Sequence, residues 1–221
     1  MRDLALCAFA TVAISGCAVA GTPKPELLST SLPAPSDAPG PNIYMTAPHA
    51  TLHSELMVCA GVGANIGAVG KRGEAVGYTP YIFTPAGALL RDPTEEACLS
   101  SGFGWRQSDG GGHPHNGLDL ANPAGGFVYA AGDGWVSYAD WRGNFGLALE
   151  IDHGHGVRTL YGHLSEIDPN LKPGVFVAAG TPVARMGATG NATGVHLHYE
   201  VSVDGLQVDP LAYGLEPPPV L

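Results

Sequence analysis

The chain has 221 residues, a formal net charge of −10 and 14% charged residues, with 32 glycines and 19 prolines. That acidity, with no basic cluster to offset it, excludes binding to a phosphate backbone, so no nucleic-acid partner is expected. The length suffices for one domain with a good core plus accessories, and the turn-forming composition favours all-β over helical architecture.

Residues 1–17 read as a targeting segment. "LALCAFATVAI" (4–14) is an apolar run of signal-peptide length, shorter than the ~20 residues a bilayer span needs. "ISGC" (14–17) looks like a bacterial lipobox, which makes Cys17 the acylated first residue of a lipid-anchored protein. Ala18-Val19-Ala20 offers a rival cut of the ordinary A-x-A form. Either route exports the chain to the cell envelope. Alanine after Cys17, by analogy with lipoprotein sorting, favours the outer membrane facing the periplasm over the inner membrane. In that oxidising compartment Cys59 and Cys98 are left as a pair, expected to be a disulfide, with two buried free thiols as the alternative.

Residues 18–42, rich in Pro, Ser and Ala and without periodicity, read as a disordered tether. Residues 43–97 hold short apolar runs broken by Gly and Pro, which suggests strands in a small extension, either a subdomain or a wrap, of unknown role. His49 and His53 stand four apart there, but "PHATLH" offers no third ligand, so both are expected at the surface. From 98 to 213 short β-like runs alternate with turns, the clearest being "VHLHYEVSV". There Leu197, Tyr199, Val201 and Val203 share one face, and His196, His198, Glu200 and Ser202 share the other. The expected fold is an all-β, antiparallel sheet or barrel-like domain, followed by a tail over 214–221.

A catalytic zinc site needs three protein ligands and one open position. "HPHNGLD" offers His115 and Asp119, and "HLH" offers two histidines on one strand face. Spacing alone leaves the ligand set open.

Three motifs in order resolve it by likeness: His-x-Gly-x-Asp at 115–119, "YGHL" at 161–164 and "GVHLHYEV" at 194–201. With "SSGFGWR" (100–106), "VYAAGDGWV" (128–136) and "VDPLAY" (208–213), they resemble the lysostaphin/LytM-type zinc metallopeptidases, which cut peptides in peptidoglycan. The likeness covers roughly 98–213. It implies one Zn²⁺ held by His115, Asp119 and His198, with His163 and His196 acting on water and substrate, in either assignment of roles. Two neutral imidazoles and one carboxylate would leave the zinc net positive, able to activate water and polarise a carbonyl.

His113 is out of register with Asp119 and is expected to be exposed or to line the cleft. His153 is expected to be structural, and His155 an exposed turn residue. Arg106 and Tyr161 carry weaker cases, for substrate positioning against surface or core roles. Trp135, Trp141 and Phe145 are read as core or rim. The implied function is a zinc endopeptidase acting on peptidoglycan peptide crosslinks, expected to be a monomer. The alternative is a non-catalytic module of the same fold that activates a wall amidase. The likeness implies that such modules typically lack zinc ligands, and this chain has them all. "LKPGVFVAAGTPVARMG" is similar to lipoyl-carrier hairpins, but Lys172 has no turn setting for modification.

Overall fold

The computed structural model describes residues 44, 47–61, 63–107 and 111–216. The signal segment, the acylation site Cys17 and the tether 18–42 lie outside the described residues. Among those described, no helix is long and apolar enough to cross a membrane.

Among the described residues fifteen strands run in chain order: β1 Tyr81–Thr84, β2 Gly87–Leu90, β3 Cys98–Ser101, β4 Gly104–Arg106, β5 His113–His115, β6 Leu118–Ala121, β7 Phe127–Tyr129, β8 Gly134–Trp141, β9 Leu147–Gly154, β10 Val157–Leu164, β11 Glu166–Ile167, β12 Phe176–Val177, β13 Pro182–Arg185, β14 His196–Val203 and β15 Leu206–Val208. The protein is all-β and its named strands pair antiparallel. The main sheet has the order β12-β8-β9-β10-β14-β6-β3, with β15 beside β14. A smaller sheet, β11-β13-β7, accompanies it, and β4 and β5 form a ribbon.

Alternation builds the core. On β14, Leu197, Tyr199 and Val201 are fully buried, and across the sheet Leu149, Ile151, Tyr161, Leu118 and Leu120 join them. Burying such side chains supplies about 1.5–3 kcal/mol each, the largest favourable contribution to folding. Tyr161 belongs to this core: its hydroxyl accepts from the Ala131 N–H at 2.8 Å, so it does not face a substrate. The run 127–141 divides at the turn 130–133, placing β7 and β8 in different sheets.

The extension wraps the main domain and shares its core, through Leu56, Ile82 and Leu89. Val58 and Ala64 bridge Leu99 and Ser101 in parallel, so this arm adds to the free edge of β3. Cys59 and Cys98 form a disulfide with a Cα–Cα distance of 5.0 Å and a separation of 39 residues. Closing a loop of that size stabilises by about 4 kcal/mol in the chain-entropy model. The Cys59→Ser/Cys98→Ser pair is therefore expected to lower the melting temperature by about 8–16 °C, as calorimetry would show.

The sequence reading of His53 as a surface residue is corrected by its partner. His53 Nδ1–H donates to Asp92 Oδ2 at 2.8 Å, and the Asp92 side chain is 1% exposed. A carboxylate 39 positions away cannot be seen in a local pattern. The hydrogen bond to Asp92 raises the His53 pKa above its ordinary value, outweighing partial burial. Because the folded value exceeds the unfolded one, the contribution is full below about pH 6.5 and fades as pH rises through the folded value. The stability difference between wild type and His53→Ala is thus expected to be largest near pH 5.5 and smaller by pH 8.5, measured by urea melts.

Candidate metal centre

Three elements bring the site together. His115 ends β5, a two-residue turn follows, and Asp119 lies on β6. The turn passes so close to β14 that a Cβ on Gly117 would sit 2.2 Å from the Tyr199 carbonyl oxygen, so only glycine fits. In the β6–β14 pairing Asp119 lies directly opposite His198. The donor atoms then converge: His115 Nε2 is 3.0 Å from Asp119 Oδ1 and 3.1 Å from His198 Nδ1, and His198 Nδ1 is 2.8 Å from Asp119 Oδ1. All three residues are buried.

Second partners settle which nitrogen faces inward. His115 Nδ1–H donates to the Gly102 carbonyl at 2.7 Å, and His198 Nε2–H donates to Glu200 Oε1 at 3.0 Å. With those protons committed, His115 Nε2, His198 Nδ1 and Asp119 Oδ1 are left facing one another, to be held together by a further proton or by a metal ion. Three acceptors within about 3 Å repel unless something positive lies between them. Burial works against charge on His198, but the carboxylates of Asp119 and Glu200 raise its pKa to about 9. Burial likewise opposes charge on Asp119, yet hydrogen bonds to His115 and His198 hold it well below the usual carboxylate range. The cluster therefore draws a cation, and zinc suits the donor set: bonds of 2.0–2.1 Å give tetrahedral ligand edges of about 3.3 Å. Glu200→Ala, which frees the far side of His198, is expected to weaken zinc binding about 10–100-fold in a chelator-competition titration.

His163 and His196 stand beside this triad. The β9–β10 register slips between Tyr161 and Leu164, and His163 takes a φ of 60° in the resulting bulge. Such a bulge re-aims a side chain, here out of the alternation that buries Tyr161 and toward His196, with ring centroids 4.6 Å apart. His163 Nδ1–H donates to Thr189 O at 2.8 Å and His196 Nδ1–H to Gly194 O at 2.9 Å. Both rings are thereby oriented with Nε2 as the remaining nitrogen, and that of His196 lies 3.7 Å from Asp119 Oδ1. Burial lowers the His163 pKa, so the ring is neutral at pH 7.

A cleft of about 340 Å³ holds the five residues, with His113, Asn144, Phe145 and Asn191 along its rim. The Phe145 ring packs 5.4 Å from that of His198. His113 is exposed on the rim, and His155 is exposed in its turn. His153 is buried, bonded to the Asp133 carbonyl and the Thr159 hydroxyl. Trp135 and Trp141 are 55% and 57% exposed, away from the core.

Arg106, which the sequence left undecided, bonds the outer oxygen of the triad carboxylate: its Nη2 lies 2.5 Å from Asp119 Oδ2. Glu200 and Gly102, the partners of the two histidines, were not singled out. Glu200 was detectable from its place two residues after His198 on the same face. Gly102 and Thr189 act through backbone carbonyls, which leave no side-chain signal.

Residues 113–210 match peptidase family M23. The DD-carboxypeptidase/endopeptidase Mpg of Neisseria meningitidis is 36% identical over 139 residues, which are 60% of this chain and 30% of that protein. The peptidoglycan DD-endopeptidase ShyB of Vibrio cholerae is 39% identical over 127 residues, 55% of this chain and 29% of its own. A zinc-containing peptidase from Vibrio cholerae superposes with a TM-score of 0.54 at 33% identity, covering 62% of this chain and 47% of that one. The chain thus spans about 30% of the length of those two curated relatives. With the His-Asp-His triad in place, the chain carries over residues 113–210 a domain of peptidase family M23, to which the lysostaphin/LytM-type motifs had pointed.

Proposed function

We propose that this protein is a zinc-dependent endopeptidase that hydrolyses peptide crosslinks of bacterial peptidoglycan. The observation that carries the reading is the convergence of three inward donor atoms beside two histidines whose Nδ1 atoms are bonded to backbone carbonyls. Zinc held by His115, Asp119 and His198 would supply a Lewis acid that makes water nucleophilic near neutral pH and polarises a peptide carbonyl.

The chain's own residues do the rest. His163 and His196 hold their Nε2 atoms toward the reacting bond, where one accepts the proton of the attacking water. The other hydrogen-bonds the carbonyl oxygen as charge develops or passes a proton to the leaving amine. The backbone carbonyls of Thr189 and Gly194 fix both tautomers, so neither ring spends the reaction reorienting. Phe145 shields one side of the His198 ring from water.

The named activities of the Neisseria and Vibrio relatives support the substrate class. The lipobox and the signal-like run support an anchored place in the envelope. Purified protein incubated with sacculi, with and without a chelator, tests the reading. Metal-dependent loss of crosslinked muropeptides is the expected result, and intact crosslinks with zinc bound would favour the amidase-activating role instead.

A further inference from the structure

A second cavity, about 710 Å³, opens beside the metal centre. Arg106, Asp119, Thr193 and His196 line both it and the catalytic cleft, so the two are continuous. One wall comes from outside the stretch that matches the family, Cys59, Ala60, Gly63 and Ala64 of the arm, and Val195 also lines the cavity.

That wall is fixed in place. The disulfide ties Cys59 to β3, and the Asn65 side-chain amide donates to the Trp105 carbonyl at 2.9 Å. The Gly102 N–H donates to Ala64 O at 2.8 Å, and a Cβ on Gly102 would sit 2.0 Å from the Asn65 carbonyl oxygen. The same glycine carbonyl receives the His115 proton, so arm and metal ligand share one anchor.

The chemistry of the lining is mostly apolar. Alanines, a proline, a valine and the disulfide supply most of it, while the serines are committed: Ser100 Oγ to Asp119 O at 3.0 Å and Ser101 Oγ to Ala64 O at 3.2 Å. Charge occurs only at the inner end, where Arg106 and Asp119 already pair. A charged side chain lodged against the alanines and the disulfide, away from that inner end, would lose water without a charged partner among the described lining residues.

We propose that this cavity is a substrate subsite, built by the disulfide-held arm, which takes an uncharged, apolar stretch of the peptide next to the scissile bond. The proposal rests on the endopeptidase reading. Its test uses the whole zinc-loaded chain, ¹⁵N-labelled and titrated with acetyl-Ala-Ala-Ala-amide, and with the same peptide carrying Lys or Glu at the centre. The alanine peptide is expected to shift the Gly63, Ala64 and Val195 amides, and the charged peptides to bind at least about tenfold more weakly. Ala60→Trp, at an exposed arm position, should cut both that affinity and kcat/KM on muropeptide dimers at least about tenfold, with zinc content and melting temperature unchanged.

Equal binding of the charged peptides, or an Ala60→Trp protein that binds and cleaves as wild type does, would overturn the subsite while leaving the activity standing. Amide shifts at the arm without any cleavage by wild type would support the subsite and count against the enzymatic reading.

Discussion

Asp119→Ala is expected to lose its zinc and its turnover together, with activity falling at least about a thousandfold, since the Lewis acid contributes several kcal/mol to the barrier. Asp119 is the only carboxylate in the triad and its Oδ1 touches both histidine donors. Removing it leaves two imidazole lone pairs facing each other and the Arg106 guanidinium without its partner. Asp119→Asn preserves the volume and can still accept from Arg106, yet it lacks the charge the ion requires. Both variants should therefore lose metal while only the alanine loses much stability. Metal analysis beside thermal melts separates the two effects, and stoichiometric zinc in Asp119→Asn at nanomolar free metal would count against this ligand set.

His163→Ala should behave in the opposite way. Its nitrogens lie outside the triad, so zinc content should match wild type while kcat falls about 10²–10⁴-fold, the usual worth of a positioned acid or base. The bulge complicates a plain truncation, because a φ of 60° disfavours most side chains. His163→Asn provides the control, since asparagine tolerates that conformation and carries no basic nitrogen. Equal losses in the two variants assign the effect to the imidazole; near-wild-type turnover in His163→Asn would remove His163 from the mechanism.

Much of the site was legible because its signals are local. His115 and Asp119 sit on either side of a turn that requires glycine at 117, and the strand period of two puts His196, His198 and Glu200 on one face. The all-β fold followed from the same alternation. The sequence could not show features set by distant partners. His163 has the sequence parity of Tyr161, and only the slip between β9 and β10 turns one into the core and the other into the cleft. Arg106 reaches Asp119 thirteen residues on through the β4–β5 ribbon. The division of 127–141 between two sheets turns on the bend at 130–133, whose sheet assignment depends on partners distant in the chain. The arm over 57–66 lacks any periodic signal, and its docking depends on the Cys59–Cys98 pair and on single backbone bonds to β3.

Mass analysis of purified muropeptide dimers after incubation with the zinc-loaded protein decides whether this site hydrolyses peptide crosslinks. Each crosslinked dimer is expected to gain one water and separate into its two peptides, with chelation stopping the reaction and restored zinc reviving it. Dimers left intact by a protein that holds one zinc per chain would contradict that expectation.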